Sequence, residues 1–134
     1  MSKPEGYRAD HHTITPYLMI RGAADAIEFY KKAFGATEAM RDTDADGRVR
    51  HAEIKIGDSH VMIVDETPRF PEMRSVQAFG GSPMNIFLYV DDADAVAQQA
   101  LAAGAALIMP VEDKPYGRSG GVKDPNGLDW WITS

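Results

Sequence analysis

The sequence contains no cysteine, which excludes disulfides, thiolate zinc sites and cysteine nucleophiles. It also contains no apolar run near the roughly 20 residues that a membrane-spanning helix requires. Positive charge is scarce, because 14 Lys and Arg stand against 20 Asp and Glu, and no basic stretch offers a phosphate-binding surface. We therefore expect neither a membrane nor a nucleic acid as a partner. The polar start, which lacks an apolar signal region, favours a cytoplasmic protein.

What the sequence does contain is a repeated pattern. In the first copy, an alternating segment (14–20) precedes a helical pattern that ends at Gly35. In the second copy, residues 84–90 alternate and precede a helical pattern that ends at Gly104. The same order recurs about 70 residues later, which indicates a duplicated unit. We expect a chain of 134 residues, 44% of them apolar, to build one core from these two small modules.

Periodicity and turn residues predict a β-α-β-β-β order in each copy. The helices are expected at 23–34, ended by Gly35, and at 92–103, with Asp92 as the N-cap. The later strands are expected at 37–42, 48–56, 59–64, 105–109, 117–123 and 128–133. The predicted organisation is a flexible N-terminus (1–12), a first βαβββ module (13–67), a linker (68–83) and a second βαβββ module (84–134).

Alternation divides the first strand of each module into two faces. The apolar faces, which we expect to pack under the helices, consist of Ile14, Pro16, Leu18 and Ile20 and of Met84, Ile86, Leu88 and Val90. The opposite faces, which we expect to line a cleft, carry Thr15, Tyr17, Met19, Asn85, Phe87 and Tyr89. The candidate ligand-binding residues from the later strands are Tyr116, Arg118 and Trp131. An aromatic cleft with a few polar groups is typical of small-molecule binding.

Six motifs carry a resemblance to a known family, and three of them lie at 15–18, 80–83 and 110–117. The other three are Ala-Ile-Glu-Phe-Tyr-Lys-Lys-Ala-Phe-Gly-Ala at 26–36, His-Ala-Glu-Ile-Lys-Ile-Gly-Asp at 51–58 and the turn Asp-Pro-Asn-Gly at 124–127. In this order, the chain resembles the vicinal oxygen chelate superfamily of glyoxalase I, bleomycin-resistance proteins and extradiol dioxygenases, and in particular its PhnB-like branch. The resemblance implies an α+β fold in which tandem βαβββ modules form a curled mixed sheet around a cleft, with helices on the outer face. Metal-dependent members hold a divalent ion there on four strand residues.

The residues at those four positions are poor metal ligands in this sequence. The resemblance assigns the positions to Thr15, Asn85, Trp131 and one residue of the Met-Ile-Val stretch at 62–64. A hydroxyl, an amide and an indole do not replace the imidazoles and carboxylates that zinc or nickel requires. We therefore expect no glyoxalase-type metal centre and no cofactor.

The histidines leave one other arrangement open. His51 and Glu53 stand two residues apart on a predicted strand, so that they share a face and are candidates for catalysis or, with a third residue, for a metal site. The same alternation is found in an ordinary half-buried strand whose polar residues face solvent or the mouth of a cleft. His60 is expected on the surface at a strand end, and His11 and His12 in the flexible N-terminus, without a function.

These patterns favour a metal-free small-molecule-binding protein of the glyoxalase/bleomycin-resistance type. The alternative is a metal-dependent lyase, isomerase or dioxygenase of the same superfamily, and a third hypothesis is a purely structural role. The sequence leaves open which ligand is bound and whether any reaction is catalysed. The resemblance implies a homodimer, and it leaves open whether the modules pair within one chain or between chains.

Overall fold

The computed structural model describes residues 11–134. This part of the chain forms eight strands and three helices. In chain order they are β1 (Tyr17–Ile20), α1 (Ala23–Phe34), β2 (Thr37–Thr43), β3 (Val49–Ile56), β4 (Ser59–Asp65), α2 (Val76–Phe79), β5 (Ile86–Tyr89), α3 (Ala93–Ala103), β6 (Ala106–Lys114), β7 (Gly117–Lys123) and β8 (Asp129–Thr133). Apart from its last two residues, the predicted flexible N-terminus (1–12) lies outside the described residues.

The strands form two four-stranded mixed sheets with the same topology. The order is β1-β4-β3-β2 in the first sheet and β5-β8-β7-β6 in the second. In each sheet the first strand is parallel to the last, and the other neighbours are antiparallel. One long helix follows the first strand of each sheet, as in a crossover between parallel strands. This arrangement confirms the predicted α+β fold with its βαβββ repeat.

The two long helices form where the capping residues and apolar spacing predict them. Helix α1 covers the predicted span and ends at Gly35, whose φ of 67° is the left-handed conformation of a C-cap. Helix α3 begins one residue later than predicted because Asp92 is its cap, with the side chain accepting a hydrogen bond from the backbone N–H of Ala95. The two helices pack against each other and against the sheets. The buried face of α3 consists of alanines, whereas that of α1 also carries Ile27, Phe29 and Tyr30.

A buried hydrogen-bond network joins the two modules. The Asp124 carboxylate accepts hydrogen bonds from the Tyr30 hydroxyl on α1 at 2.6 Å and from the Trp130 indole N–H on β8 at 2.8 Å. The Trp130 ring is fully buried, with its centroid 4.7 Å from that of Phe34. Burial and the neighbouring Asp124 raise the pKa of Tyr30 well above its ordinary value, so the hydroxyl keeps its proton as a donor. Helix α1 of the first module is thereby fixed on the sheet of the second.

Two strands are shorter than their alternating sequences. Strand β1 begins at Tyr17 and β5 at Ile86, although the alternation begins at 14 and 84. The expected burial of Ile14 and Met84 is wrong, since these side chains are 85% and 75% exposed. They precede the strands, where the two-face rule of a strand does not apply. The members of the apolar faces that belong to the core or pack against it are Leu18, Ile20, Ile86, Leu88 and Val90.

The later elements differ from prediction in two places. Strand β6 extends to Lys114, well past the predicted end at 109, because two register shifts let it follow β7 beyond Pro110. The predicted linker contains the short helix α2, which begins after a Ser75 cap. No helix among residues 11–134 has the length and apolarity needed to cross a bilayer.

Candidate ligand-binding site

The face of the second sheet opposite the helices carries aromatic side chains. Phe87 on β5 lies beside Trp131 on β8 in the sheet register, and its ring centroid is 5.2 Å from that of Tyr89. Phe87 and Tyr89 are 46% and 84% exposed, and Trp131 is half-buried. We call Phe87, Tyr89 and Trp131 the aromatic face. Large apolar side chains exposed together on one surface are typical of a binding site.

Trp131 is held flat on this sheet by neighbours on two other segments. A Cβ atom added to Gly121 on β7 would lie 2.5 Å from two carbon atoms of the Trp131 ring, so the indole rests directly on the glycine backbone. The indole N–H donates a hydrogen bond to Oδ1 of Asn85 at 2.8 Å. The ring is therefore fixed before any ligand arrives, which lowers the entropic cost of binding.

Two other predicted ligand-binding residues lie apart from this face. Tyr116, 63% exposed, lies in the turn between β6 and β7. The prediction that Arg118 lines the cleft is wrong. Arg118 stands an odd number of residues from Gly121 on β7, so its side chain lies on the opposite face of the sheet, towards the helices. There it donates hydrogen bonds to both carboxylate oxygens of Asp94 at 2.7 and 2.9 Å. Hydrogen bonding to Arg118 lowers the pKa of Asp94 and holds the guanidinium on α3.

The first sheet presents the other predicted cleft residues. Thr15, Tyr17 and Met19 line a groove of about 980 Å³ between the β1 edge and helix α2. Tyr17 is 45% exposed, and its ring centroid lies 6.0 Å from that of the half-buried His51 on β3. None of the residues of the aromatic face lines this groove. Within one chain, the groove and the aromatic face are thus two surfaces that share no residue.

Glu53 contacts two histidines other than His51. Its Oε2 atom is 2.8 Å from Nε2 of His11 and 3.4 Å from Nδ1 of His60. The rings of the two histidines stack, with centroids 3.9 Å apart. The exposed fractions are 8% for His11, 3% for Glu53 and 5% for His60. We call these three residues the His–Glu–His cluster.

The cluster corrects three expectations from the sequence. Glu53 does not face solvent, His60 is not a surface residue, and His11 is not part of a free segment. Strand β3 lies inside its sheet between β2 and β4, and the segment before β1 covers the face on which Glu53 stands. The hydrogen bond from His11 spans 42 residues of sequence, and no local periodicity marks a contact of that range. Pairing of His51 with Glu53 as a catalytic unit is accordingly not favoured.

A small pocket lies beside the cluster where the two modules meet. Its volume is about 200 Å³, and its lining includes Thr15 and His60 from the first module and Phe87 from the second. One residue of the His–Glu–His cluster and one residue of the aromatic face therefore border the same space.

Residues 9–132 match the family described as the Glyoxalase/Bleomycin resistance protein/Dioxygenase superfamily. The chain belongs to this superfamily. An uncharacterized protein of Mycobacterium tuberculosis is 41% identical over 120 residues, which cover 87% of this chain and 71% of that protein. The superfamily inferred from the sequence motifs is confirmed.

Solved structures share the fold over nearly the whole chain. The PhnB protein from Bacillus cereus superposes with a TM-score of 0.71 and 22% identity, covering 91% of this chain and 98% of its own. TnmS3, an antibiotic binding protein from Streptomyces sp. CB03234, superposes with a TM-score of 0.68 and 22% identity, covering 95% of this chain and 98% of its own. At these identities the likeness is one of fold.

The four positions that the resemblance assigns to a divalent ion carry residues that are poor metal ligands in this chain. Asn85 and Trp131 occupy two of them and are hydrogen-bonded to each other at 2.8 Å. Thr15 offers a hydroxyl, and Met62, the neighbour of Tyr17 in the register of β1 and β4, offers only a thioether. Zinc and nickel bind imidazole and carboxylate far better than these groups.

Proposed function

We propose that the chain is a PhnB-like cytoplasmic protein that binds an apolar, planar small molecule on the aromatic face. The observation that carries the proposal is the Trp131 indole, which rests on Gly121, donates to Asn85 and is still partly exposed. A ring fixed in this way stacks on a planar ligand with little loss of side-chain freedom.

The surroundings of Trp131 support a ligand that combines an apolar body with a few polar groups. Phe87 and Tyr89 extend the apolar surface along β5, and the exposed Asn85 brings an amide to its edge. Small-molecule sites have this composition, in which a few polar groups orient a ligand that is held mainly by apolar contact. The description of TnmS3 as an antibiotic binding protein supports an antibiotic-like compound as the ligand class.

We also propose that two copies of the chain form a homodimer around the ligand. Pockets bury most of a ligand's surface, which requires a second wall, and the aromatic face alone is one wall. Exposed apolar side chains on both surfaces favour an association that covers them: Tyr17 at 45%, Met84 at 75% and Tyr89 at 84%. The groove beside β1 in the partner subunit would supply the second wall.

A thermal-shift screen tests the binding proposal, using planar aromatic antibiotics, glycopeptide drugs and small phosphonates as probes. Compounds with planar aromatic systems should raise the melting temperature, because a ligand stabilises the state that binds it. Trp131→Ala and Phe87→Ala should abolish this shift. Phe70→Ala is the matched control, since Phe70 is 45% exposed but lies in the linker, outside the aromatic face.

A shift that survives Trp131→Ala would place the ligand elsewhere. The absence of stabilisation by any compound of the three classes would contradict the binding proposal itself.

Light scattering after gel filtration tests the dimer. The wild type should elute with twice the 14.7 kDa mass of one chain. Tyr89→Asp should give a monomer, because a charge buried at an apolar interface without a partner strongly disfavours association. Phe70→Asp should leave the dimer intact. A wild type that is monomeric at high concentration would exclude this part of the proposal.

A further inference from the structure

We propose that the His–Glu–His cluster is a binding site for a divalent transition-metal ion, with Zn²⁺ as the best-matched ion. The proposal does not depend on the small-molecule site, because it rests on other residues of the first module. His11, Glu53 and His60 are the only group of three or more potential ligands among residues 11–134 whose donor atoms converge, all lying within 4.8 Å of one another.

The donor set has the chemistry of a transition-metal site. Two imidazoles and one carboxylate are the protein ligands of many catalytic zinc centres and of non-haem iron centres. Glu53 would supply one negative charge and the two neutral imidazoles none, so the ion would keep a net positive charge and an affinity for a water or an anionic ligand.

The three ligands come from three segments of the fold, two of which are strands of one sheet. Glu53 and His60 stand on the neighbouring strands β3 and β4, and His11 approaches from the segment before β1. Ligand atoms about 2.1 Å from one zinc ion are about 3.4 Å apart in a tetrahedral site. The distance from Glu53 to His60 is already 3.4 Å, whereas the distance of 2.8 Å from Glu53 to His11 must lengthen. The two imidazole nitrogens, which lie within 4.8 Å of each other, must approach. The two rings, now stacked at an interplanar angle of 18°, must also open so that their nitrogens point at one ion.

The neighbouring pocket supplies the entry path and the open position. His60 borders the pocket of about 200 Å³ together with Thr15 and Phe87. A three-ligand metal with one side on such a space keeps room for a water molecule or a ligand atom, which is the arrangement of a catalytic rather than a structural metal. The site also differs from the superfamily's four strand positions, since neither His11 nor Glu53 lies at one of them.

Cobalt titration of tag-free protein stripped with a chelator tests this proposal. Co²⁺ in a site with nitrogen and oxygen ligands gives visible d–d absorption, and Zn²⁺ displaces it. The wild type should bind one equivalent of Co²⁺, lose the absorption on addition of Zn²⁺ and melt at a higher temperature with Zn²⁺ present. His60→Asn and Glu53→Gln should weaken binding about tenfold or more.

His51→Asn is the matched control, because it removes an imidazole from the same strand and face as Glu53 but not from the cluster. It should bind Co²⁺ like the wild type. If Glu53→Gln or His60→Asn loses its far-ultraviolet circular dichroism, His11→Asn carries the test, since His11 precedes β1 and belongs to no strand.

Two results would overturn the proposal. One is a folded wild type that binds no Co²⁺ or Zn²⁺, which would make the cluster a hydrogen-bonded structural network. The other is binding that the cluster variants leave unchanged or that His51→Asn abolishes, which would assign the metal to other residues.

Discussion

The two sheets share one topology, yet equivalent positions on their open faces carry opposite chemistry. In the first sheet, Met62 on β4 pairs with Glu53 on β3. In the second sheet, Trp131 takes the place of Met62 on β8, and it pairs with Gly121 in the place of Glu53. The first module therefore has a buried carboxylate at the position where the second has no side chain.

This exchange explains how each face is built. Gly121 leaves the room that the indole of Trp131 occupies, at a distance where any Cβ would collide with the ring. Glu53 fills the equivalent space, and His11 and His60 contact its carboxylate. A duplicated unit has in this way produced one flat aromatic surface and one polar cluster.

The two sheets also differ at the next cross-strand pair on the same face. In the second sheet, Lys123 and Asp129 are paired in the register and form an exposed ion pair with a distance of 2.6 Å. In the first sheet, the corresponding partners are Lys55 and His60, and the histidine turns to Glu53 instead. One substitution in the strand pair thus removes a surface ion pair and adds a member to the cluster.

The largest expected effect separates the two adjacent tryptophans of β8. Trp130→Ala should lower the free energy of unfolding by about 3–5 kcal/mol, because it removes a fully buried ring. Trp131→Ala should cost about 1 kcal/mol or less, because its outer side faces solvent. Urea unfolding measures both. Equal losses would mean that Trp131 is a core residue and that the open aromatic face does not exist in solution.

Gly121→Ala tests whether the lack of a side chain at Gly121 is what makes room for the Trp131 ring. The new Cβ would lie 2.5 Å from the Trp131 ring, and we expect a loss of about 1–3 kcal/mol from overpacking. Adding Trp131→Ala should recover most of this loss, since the collision is then absent. If the double variant lost as much free energy of unfolding as the two single variants together, the ring would not rest on the glycine.

Glu53→Gln tests the other half of the comparison in metal-free buffer. It keeps the shape of the side chain but weakens the hydrogen bond with His11, and we expect a loss of about 1 kcal/mol in urea unfolding. Glu112→Gln is the control, because Glu112 forms an exposed pair with Lys114 whose loss should be near zero. Equal free energies of unfolding for Glu53→Gln and Glu112→Gln would imply that the cluster adds no stability without an ion.

The smallest expected effect concerns the segment between the modules and depends on pH. Hydrogen bonds from Ser75 and Arg21 lower the pKa of Glu66 to about 2, from an ordinary value of 4.5. The stability from Glu66 is therefore fully present above pH 4.5 and is lost as the pH falls towards 2. Glu66→Gln should be less stable than the wild type at neutral pH and equal to it near pH 2. A difference that is constant with pH would exclude this linkage.

The repeat made much of the fold predictable from the sequence. Helix α1 and its Gly35 cap follow from apolar spacing and one residue type, and the strand faces around Phe87 and Tyr89 follow from simple alternation. The alternation does not indicate where a strand begins, which is why the burial of Ile14 and Met84 was wrongly predicted. The predicted position of Arg118 was wrong because its side chain pairs with Asp94, which lies 24 residues earlier on α3.

The candidate site was less predictable than the fold because its contacts are long-range. Glu53 was identified as a candidate from its spacing to His51, but its partners His11 and His60 come from other segments. The support of Trp131 by Gly121 and Asn85 likewise joins three parts of the chain. Such contacts are set by sheet register and tertiary packing, which no single segment encodes.

The most direct test of a ligand site on the aromatic face observes the indole N–H signals of the two tryptophans in a nuclear magnetic resonance correlation spectrum. Trp131→Phe assigns them, and a planar aromatic compound that stabilises the protein is then titrated in. A ligand on the aromatic face should shift the Trp131 signal with saturation, while the signal of Trp130, whose N–H is bound to the buried Asp124, should stay in place. A compound that stabilises the protein without moving the Trp131 signal would contradict a ligand site on the aromatic face.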